Sequence, residues 1–120
     1  IIDVSVLDEY GNDLLDPTKN YPKSLDVEKT IIDDGQKRDF VIEVDELELF
    51  GPDEFLKHDS HYIKLHLNSA RNGFAETVVR WSDNSCDTVK GYFDKYSCRK
   101  QLWVNGKEYP NDVNDIVFVK

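Results

Sequence analysis

The side chains with the strongest metal-binding chemistry in this sequence are three histidines and one neighbouring aspartate: His58, Asp59, His61 and His66. Imidazole and carboxylate groups together suit zinc and similar ions. The pattern argues against a shared site, because alternation places His66 on the polar face of its strand, while His58 and His61 fall in a loop. We therefore expect solvated histidines, with no metal and no other cofactor.

Oxygen ligands for calcium are concentrated in predicted turns, at Asp8, Asn12 and Asp13, at Asp33 and Asp34, and at Asp83 and Asp87. Calcium takes six to eight oxygen ligands, but the spacing of an EF-hand loop is not met. Asp and Asn are also the residues whose side chains accept hydrogen bonds from nearby amides in turns. We interpret these residues as turn formers.

The sequence contains none of the common motifs that position a catalytic group. It has no GxSxG nucleophile elbow, no Gly-rich phosphate loop and no HExxH zinc motif. With 24 acidic residues in the chain, no pair of carboxylates stands out as a general acid and base. We expect no catalytic residues, and hence a protein that is not an enzyme.

Aromatic residues are concentrated in the last third of the chain. The candidate ligand-binding side chains there are Trp81, Tyr92, Tyr96, Trp103 and Tyr109. Exposed aromatic rings on a β-sheet can stack against the apolar faces of sugars. The competing interpretation is structural, because a tryptophan in a β-sandwich often fills the core while other aromatic rings cover it.

Cys86 and Cys98 are the only cysteines, and two cysteines in an oxidising compartment usually pair. A hairpin turn at Asp94–Lys95 would place Gly91 opposite Cys98, which leaves Cys86 roughly 17 Å further along the ladder. A disulfide needs Cα atoms within about 7 Å. An intramolecular bridge therefore requires Cys86 to lie in a loop that folds back, and the question stays open at this point.

Composition limits the fold and the partners. The chain of 120 residues has a net charge of −9, no Met, and an apolar fraction rich in Val, Ile and aromatic residues. Those residues favour strands. The charge opposes approach to nucleic acids and anionic membranes, so we expect no nucleic-acid partner. No apolar run reaches the about 18 residues of a membrane span.

Alternating apolar and polar residues predict eight strands: Asp3–Leu7, Val27–Ile32, Gln36–Val44, Tyr62–Leu67, Glu76–Trp81, Thr88–Phe93, Ser97–Val104 and Ile116–Val119. Hairpin turns are predicted at Asp34–Gly35, Asp94–Lys95 and Asn105–Gly106. The pattern favours a single domain over residues 1–120. Its predicted fold is an antiparallel, immunoglobulin-like (Greek-key) β-sandwich of about seven or eight strands.

Three segments have more specific expectations. Leu14–Ser24 contains two prolines and should be irregular, and Leu47–Leu56 should hold at most one or two helical turns because Gly51–Pro52 interrupts it. In Tyr62–Leu67, alternation predicts that the three aliphatic residues face the core and that Tyr62, Lys64 and His66 face outward.

Val4–Leu15 at the start of the chain, and Val79–Asp83 with Leu102–Lys107 near its end, resemble small lipoproteins of Bacteroides-type bacteria. The resemblance implies a compact β-domain, tethered through a lipidated cysteine upstream, in the cell envelope, either anchored to the outer membrane or periplasmic. The start at Ile1, without Met, fits an expectation that an upstream segment is removed. The opening strand also resembles transthyretin-like and carboxypeptidase-regulatory-like domains, which implies a sandwich fold.

These observations lead to the expectation of a non-catalytic cell-envelope binding or adaptor domain, monomeric, with a protein or glycan partner. It would contact the membrane only through the inferred N-terminal lipid anchor. The alternative is a structural accessory module of an envelope assembly. Such a module would pair with another chain through a sheet edge near Ile116–Val119 or Val4–Leu7.

Overall fold

The computed structural model describes residues 2–33, 42–43 (backbone only), 49–52, 59–67, 73–96 and 98–120. Ten strands lie in these ranges: β1 (Ile2–Leu7), β2 (Ile31–Asp33), β3 (Ile42–Glu43), β4 (Leu49–Phe50), β5 (Tyr62–Leu65), β6 (Gly73–Arg80), β7 (Cys86–Phe93), β8 (Arg99–Val104), β9 (Lys107–Tyr109) and β10 (Asp115–Val119). One 3-10 turn covers Val27–Lys29. Within these ranges, no helix has the length and apolar character needed to cross a membrane.

The strands form two sheets, and the all-β sandwich that the sequence predicts is confirmed. The four-stranded sheet has the order β10-β1-β5-β4, and the six-stranded sheet has the order β3-β2-β6-β7-β8-β9. Pairing is antiparallel except between β1 and β10, which run parallel. β1 therefore lies inside its sheet, between β10 and β5, and the suggestion that Val4–Leu7 forms a sheet edge is wrong.

The core lies between the two sheets and is built from the inward-facing residues of both. Its largest fully buried side chain is Trp81, which is 1% exposed. The other core residues are Ile2, Val4, Val6, Leu14, Leu15, Leu25, Ile32, Ile63, Leu65, Val79, Val89, Leu102, Val104, Ile116 and Phe118. Both sheets contribute to this one cluster, so neither sheet buries its inner face without the other.

The strands from β6 to β9 form an antiparallel meander. The sequence predicts the pairing of β7 with β8 and the hairpin turn after β8, but it does not predict strand β9. The last turn of the meander follows the expectation closely, because Val104 pairs with Lys107 across Asn105 and Gly106. Asn105 has φ of 49° and Gly106 has φ of 82°. Two consecutive positive φ angles define the type I′ turn that an Asn-Gly pair favours.

The turn between β7 and β8 is wider than the predicted two-residue turn at Asp94–Lys95. Phe93 pairs with Arg99, and Gly91 lies opposite Leu102 instead of Cys98. The Asp94 carboxylate accepts hydrogen bonds from the amides of Tyr96 (2.9 Å) and Cys98 (3.0 Å). These two hydrogen bonds to the Asp94 side chain stabilise a turn that is longer than the predicted two-residue turn.

The first half of the chain is less regular than the alternation predicts. Leu14–Ser24 contains neither helix nor strand, as expected. The predicted strand Val27–Ile32 begins instead with the 3-10 turn, since Asp26 caps it by accepting the amide of Glu28 (3.0 Å). Strand β2 follows and pairs with β3, with Ile32 opposite Ile42. The predicted Asp34–Gly35 turn lies outside the described residues.

Two further expectations concern the four-stranded sheet. In the segment Leu47–Leu56, where helical turns are predicted, the described residues include a short strand, β4. Most of the other residues of this segment lie outside the described ranges. Strand β5 is confirmed, but Tyr62 is 2% exposed and not solvated as alternation predicts. Its ring stacks on Phe50 with a centroid separation of 5.2 Å, so the outer face of this sheet carries buried aromatic packing.

Candidate ligand-binding face

Three aromatic side chains lie on adjacent strands of the six-stranded sheet and point away from the core. They are Phe74 on β6, Tyr92 on β7 and Trp103 on β8, and we call them the aromatic face. Strand alternation places them there, because their neighbours Ala75 and Leu102 are buried on the opposite side. The two-residue period of β-strands therefore separates this aromatic set from the core.

The pairing register brings the three rings together. Phe74 lies directly opposite Tyr92, and Trp103 lies opposite Lys90 on the next row. The centroid of the Phe74 ring is 4.9 Å from that of Tyr92 and 5.9 Å from that of Trp103. The rings are tilted by 56° and 47° relative to Phe74. These separations and tilts are typical of favourable aromatic pairs.

Phe74 is the most exposed of the three rings. Its exposed fraction is 63%, whereas Tyr92 and Trp103 are half-buried. A phenylalanine this exposed cannot be explained by core packing, since most of its surface still contacts water. The other two rings support it from one side and leave it available to a ligand.

A lysine crosses the middle of the aromatic face. The Nζ atom of Lys90 lies 4.5 Å from the centroid of Phe74 and 5.7 Å from that of Trp103. Both distances fall within the range of cation–π attraction. Among the described residues, no carboxylate lies within ion-pair distance of this ammonium. Lys90 therefore places a positive charge and three N–H donors beside the rings.

Exposed polar side chains surround the rings on the same face of the sheet. Glu76 lies opposite Lys90 on one side, while Glu108 lies opposite Trp103 on the other. Gln101 lies opposite Tyr92 and donates a long hydrogen bond of 3.4 Å to Glu108. The face thus combines apolar rings with donors and acceptors that point in the same direction.

Two of the five aromatic residues singled out from the sequence belong to this face. Tyr92 and Trp103 lie on it, but Trp81, Tyr96 and Tyr109 do not. Trp81 is in the core, and Tyr109 lies opposite buried Leu102 and packs against the core. Tyr96 is 75% exposed in the turn between β7 and β8, with Lys95 near its ring at 5.1 Å.

Phe74 is the residue of this face that the sequence prediction missed. The predicted strand began at Glu76, whereas β6 begins at Gly73. The signal was present in the alternation, since Phe74 has the same parity as exposed Glu76 and the opposite parity to buried Ala75. Extending the strand by two residues would have placed Phe74 on the outer face.

A buried charge network explains the position of Trp81. Its indole Nε1 donates a 2.7 Å hydrogen bond to Asp87 Oδ2. The same oxygen accepts Lys120 Nζ at 2.6 Å, and Asp87 Oδ1 accepts Asn105 Nδ2 at 3.0 Å. Asp87 is 5% exposed, and both of its carboxylate oxygens accept hydrogen bonds, which a buried charge requires. We assign this network a structural role in fixing Trp81 and the end of β10.

The two cysteines are free and exposed. Cys86 begins β7, where it lies opposite Arg80, while Cys98 lies in the turn beyond the other end of the same strand. The length of β7 places the two residues roughly 23 Å apart along the strand, at about 3.3 Å per residue. An intramolecular disulfide is therefore excluded in this fold.

The acidic turns behave as turn caps. Asp8 accepts the amides of Tyr10 (2.9 Å) and Asn12 (2.8 Å), and Asp83 accepts the amide and hydroxyl of Ser85 at 2.9 and 2.6 Å. Burial raises the pKa of Asp8, but its hydrogen bonds outweigh that effect and the net pKa lies below its usual value. These contacts support the interpretation of Asp8 and Asp83 as turn formers. The interpretation is wrong for Asp33, which lies in β2, and for Asp87, which lies in β7, while Asp34 lies outside the described residues.

The two histidines in the described part of the chain, His61 and His66, differ in their surroundings. His66 is exposed after β5, Asp59 is also exposed, and His58 lies outside the described residues. His61 is half-buried and contacts Asp13, with 2.7 Å between Nδ1 and Oδ2. His61 is therefore not the solvated side chain that the sequence predicts.

Comparison with known proteins found no family model that matches this chain, and neither a curated protein nor a solved structure with significant similarity. The functional interpretation therefore depends on the residues and geometry described above.

Proposed function

We propose that this protein is a non-catalytic binding domain and that its aromatic face binds a glycan. The observation that carries the proposal is the grouping of Phe74, Tyr92 and Trp103 on one exposed sheet face, with Phe74 63% exposed. Pyranose rings have an apolar C–H face that stacks on aromatic rings, and hydroxyl groups at the edge that form hydrogen bonds. The aromatic face offers both kinds of contact.

The polar groups around the rings favour a sugar over a purely apolar ligand. Glu76 and Glu108 can accept hydrogen bonds from hydroxyl groups, while Lys90 and Gln101 can donate them. Small-molecule sites typically combine aromatic surface with a few such groups that fix orientation. The net charge of −9 favours a neutral glycan over a polyanionic one.

The size of the face also favours a glycan over a protein. Each partner in a stable protein complex buries about 800 Å². A fully buried aromatic side chain contributes about 150–250 Å², and two of these three rings are already half-buried. The rings alone therefore provide less surface than a standard protein interface requires.

We also propose that the domain acts in the bacterial cell envelope, anchored to the outer membrane or in the periplasm. The support is the resemblance of Val4–Leu15 and Leu102–Lys107 to small Bacteroides-type lipoproteins. A glycan-binding domain fits such a location because cell-surface proteins encounter polysaccharides there.

Affinity electrophoresis against a panel of neutral and acidic polysaccharides tests the proposal. We expect retardation of the wild-type domain by at least one neutral polysaccharide, and loss of that retardation in Phe74→Ala and Trp103→Ala. The matched control is Tyr10→Ala, because Tyr10 is 81% exposed and lies in the turn after β1, away from the aromatic face. Retardation that all three variants retain would refute binding at this face. A protein partner that binds through the same rings, with no polysaccharide bound, would refute the choice of ligand.

One observation favours the alternative function, a structural accessory module. β10 is the outer strand of its sheet among the described residues, and Val117 and Val119 on it are 52% and 67% exposed. An uncovered edge strand with apolar side chains can pair with an extended segment of another chain. Light scattering, which measures the molar mass in solution, tests this alternative on the wild type and on Val119→Lys. The alternative requires that the wild type assembles and that Val119→Lys does not.

A further inference from the structure

We propose that Asp13, Asp16 and His61 form a binding site for a divalent metal ion of the zinc class. One ligand atom from each residue lies within 4.8 Å of the other two. All three residues are half-buried. This site is separate from the aromatic face and does not depend on the proposed glycan binding.

The fold brings the three residues together from two distant segments. β1 and β5 are antiparallel, with Val4 opposite Ile63, so the end of β1 and the start of β5 meet at one end of the sheet. His61 immediately precedes β5. Asp13 lies at the same end of the sheet, because it forms a β-bridge with Leu7 at the end of β1.

The loop that carries the two aspartates is held firmly. Leu14 and Leu15, which lie between them, are 0% and 1% exposed. The amide of Leu14 donates a 2.9 Å hydrogen bond to the carbonyl of Val6. A ligand pair on a loop fixed by buried leucines loses little conformational freedom when an ion binds.

The ligand atoms of the three side chains lie close together. Asp13 Oδ2 lies 2.7 Å from His61 Nδ1 and accepts the backbone amide of His61 at 2.8 Å. Asp16 is oriented through its Oδ1 atom, which accepts the amide (2.8 Å) and the hydroxyl (2.7 Å) of Thr18. Its described hydrogen bonds involve this one oxygen, so Oδ2 can serve as a ligand.

The ligand types select the class of metal. Imidazole suits zinc and neighbouring transition metals, while an all-oxygen site would suit calcium or magnesium. Zinc bonds of about 2.0–2.2 Å place tetrahedral ligand atoms roughly 3.3 Å apart. When an ion binds, Asp13 Oδ2 and His61 Nδ1 must therefore move apart from 2.7 Å, and the farthest pair must move closer, both by side-chain rotation. Three protein ligands leave a fourth position for water or for a group from a bound molecule.

The test titrates the metal-free domain with Zn²⁺ by isothermal calorimetry and follows the histidine ring nitrogens by NMR. We expect one ion per chain and a change in the ring-nitrogen shifts of His61. Asp16→Asn should weaken Zn²⁺ binding by at least about tenfold. This variant is chosen because Asn keeps the acceptor for Thr18 and preserves the loop.

The matched control is His66→Gln, which removes an exposed histidine outside the cluster and should leave Zn²⁺ affinity unchanged. A circular dichroism melt of Asp16→Asn without metal checks that the variant folds. If it does not, the His61 shifts in the wild type still decide the question. Absence of saturable binding, equal affinity in a folded Asp16→Asn, or shifts confined to other histidines would overturn the site. Saturable Ca²⁺ binding in the place of Zn²⁺ would also overturn it.

Discussion

The ammonium of Lys90 lies 4.5 Å from the centroid of the Phe74 ring, and that ring is 63% exposed. Phe74 is thus held on the sheet surface by a cation and by two neighbouring rings, not by the core. Lys90 covers part of an apolar surface that would otherwise contact water, and a ligand can displace its flexible side chain. This relationship distinguishes the aromatic face from surface aromatics that occur singly.

Replacement of Phe74 should affect binding far more than stability. Its contacts are cross-strand pairs at the surface, which contribute about 0.2–1 kcal/mol each. We expect Phe74→Ala to lower the free energy of unfolding by less than about 1.5 kcal/mol, summed over these pairs. Urea denaturation measures this change. A loss as large as that of a buried phenylalanine, about 3–5 kcal/mol, would contradict a surface role.

The same substitution should destabilise the protein more at Trp81 than at Trp103. Trp81→Phe removes a buried hydrogen bond to Asp87 and leaves unfilled volume in the core, so we expect a loss of about 1–3 kcal/mol. Trp103→Phe changes a half-buried ring on the outer face and should cost less than about 1 kcal/mol. Equal costs in urea denaturation would show that the two tryptophans are not divided between core and surface.

The cysteines should behave as two accessible thiols. We expect both Cys86 and Cys98 to react with a thiol reagent in the native protein, because both are exposed. A reducing agent should leave the melting temperature unchanged, since no bridge within the chain constrains the unfolded state. The separation of Cys86 and Cys98 at opposite ends of β7 would be contradicted if the native protein had no reactive thiol. It would also be contradicted if a reducing agent lowered the melting temperature.

Stability should fall at acid pH partly through Asp94. Hydrogen bonds from the amides of Cys98 and Tyr96, together with the nearby ammonium of Lys100, hold the pKa of Asp94 below its ordinary value of 3.8. Because the folded pKa is depressed, the unfolded chain takes up the proton first as pH falls. The stabilisation is therefore present above about pH 4 and is lost as pH falls through the folded pKa.

Asp94→Asn tests this linkage. The variant should be less stable than the wild type at neutral pH, and the difference should shrink below about pH 4. The matched control is Asp112→Asn, which changes an exposed carboxylate in the loop before β10 and should cost less stability at neutral pH than Asp94→Asn. Thermal melts from pH 2 to pH 7 measure both. A difference between Asp94→Asn and wild type that stays constant with pH would rule out the proposed contribution of Asp94.

The sequence predicts well those features that depend on local chemistry. The Asn105–Gly106 turn follows from the φ angles that these two residues tolerate. The strand at Tyr62–Leu65 follows from alternation. Alternation fails for the exposure of Tyr62, because stacking on Phe50 buries an outward-facing ring. The alternation pattern predicts which face of the sheet a side chain lies on, but not whether other side chains cover that face.

Features that depend on contacts between residues far apart in the sequence are harder to predict from it. Trp81 shares its parity with buried Val79, but aromatic composition alone left it a candidate both for ligand binding and for the core. The contact of His61 with Asp13 joins residues 48 positions apart, through the pairing of β1 and β5. No local spacing signals such a contact, because it depends on which strands become neighbours.

The most direct test of glycan binding is an NMR titration of the isotope-labelled domain with an oligosaccharide. The oligosaccharide comes from the polysaccharide that retards the domain most in affinity electrophoresis. If none retards it, an oligosaccharide from each neutral polysaccharide of the panel is titrated in turn. We predict that the largest shift changes map to the side chains and amides of Phe74, Tyr92 and Trp103 on β6 to β8. Shift changes should be small in the four-stranded sheet. Saturable changes centred on β10 or on the Asp94–Cys98 turn, or no change with any neutral oligosaccharide, would contradict glycan binding at the aromatic face.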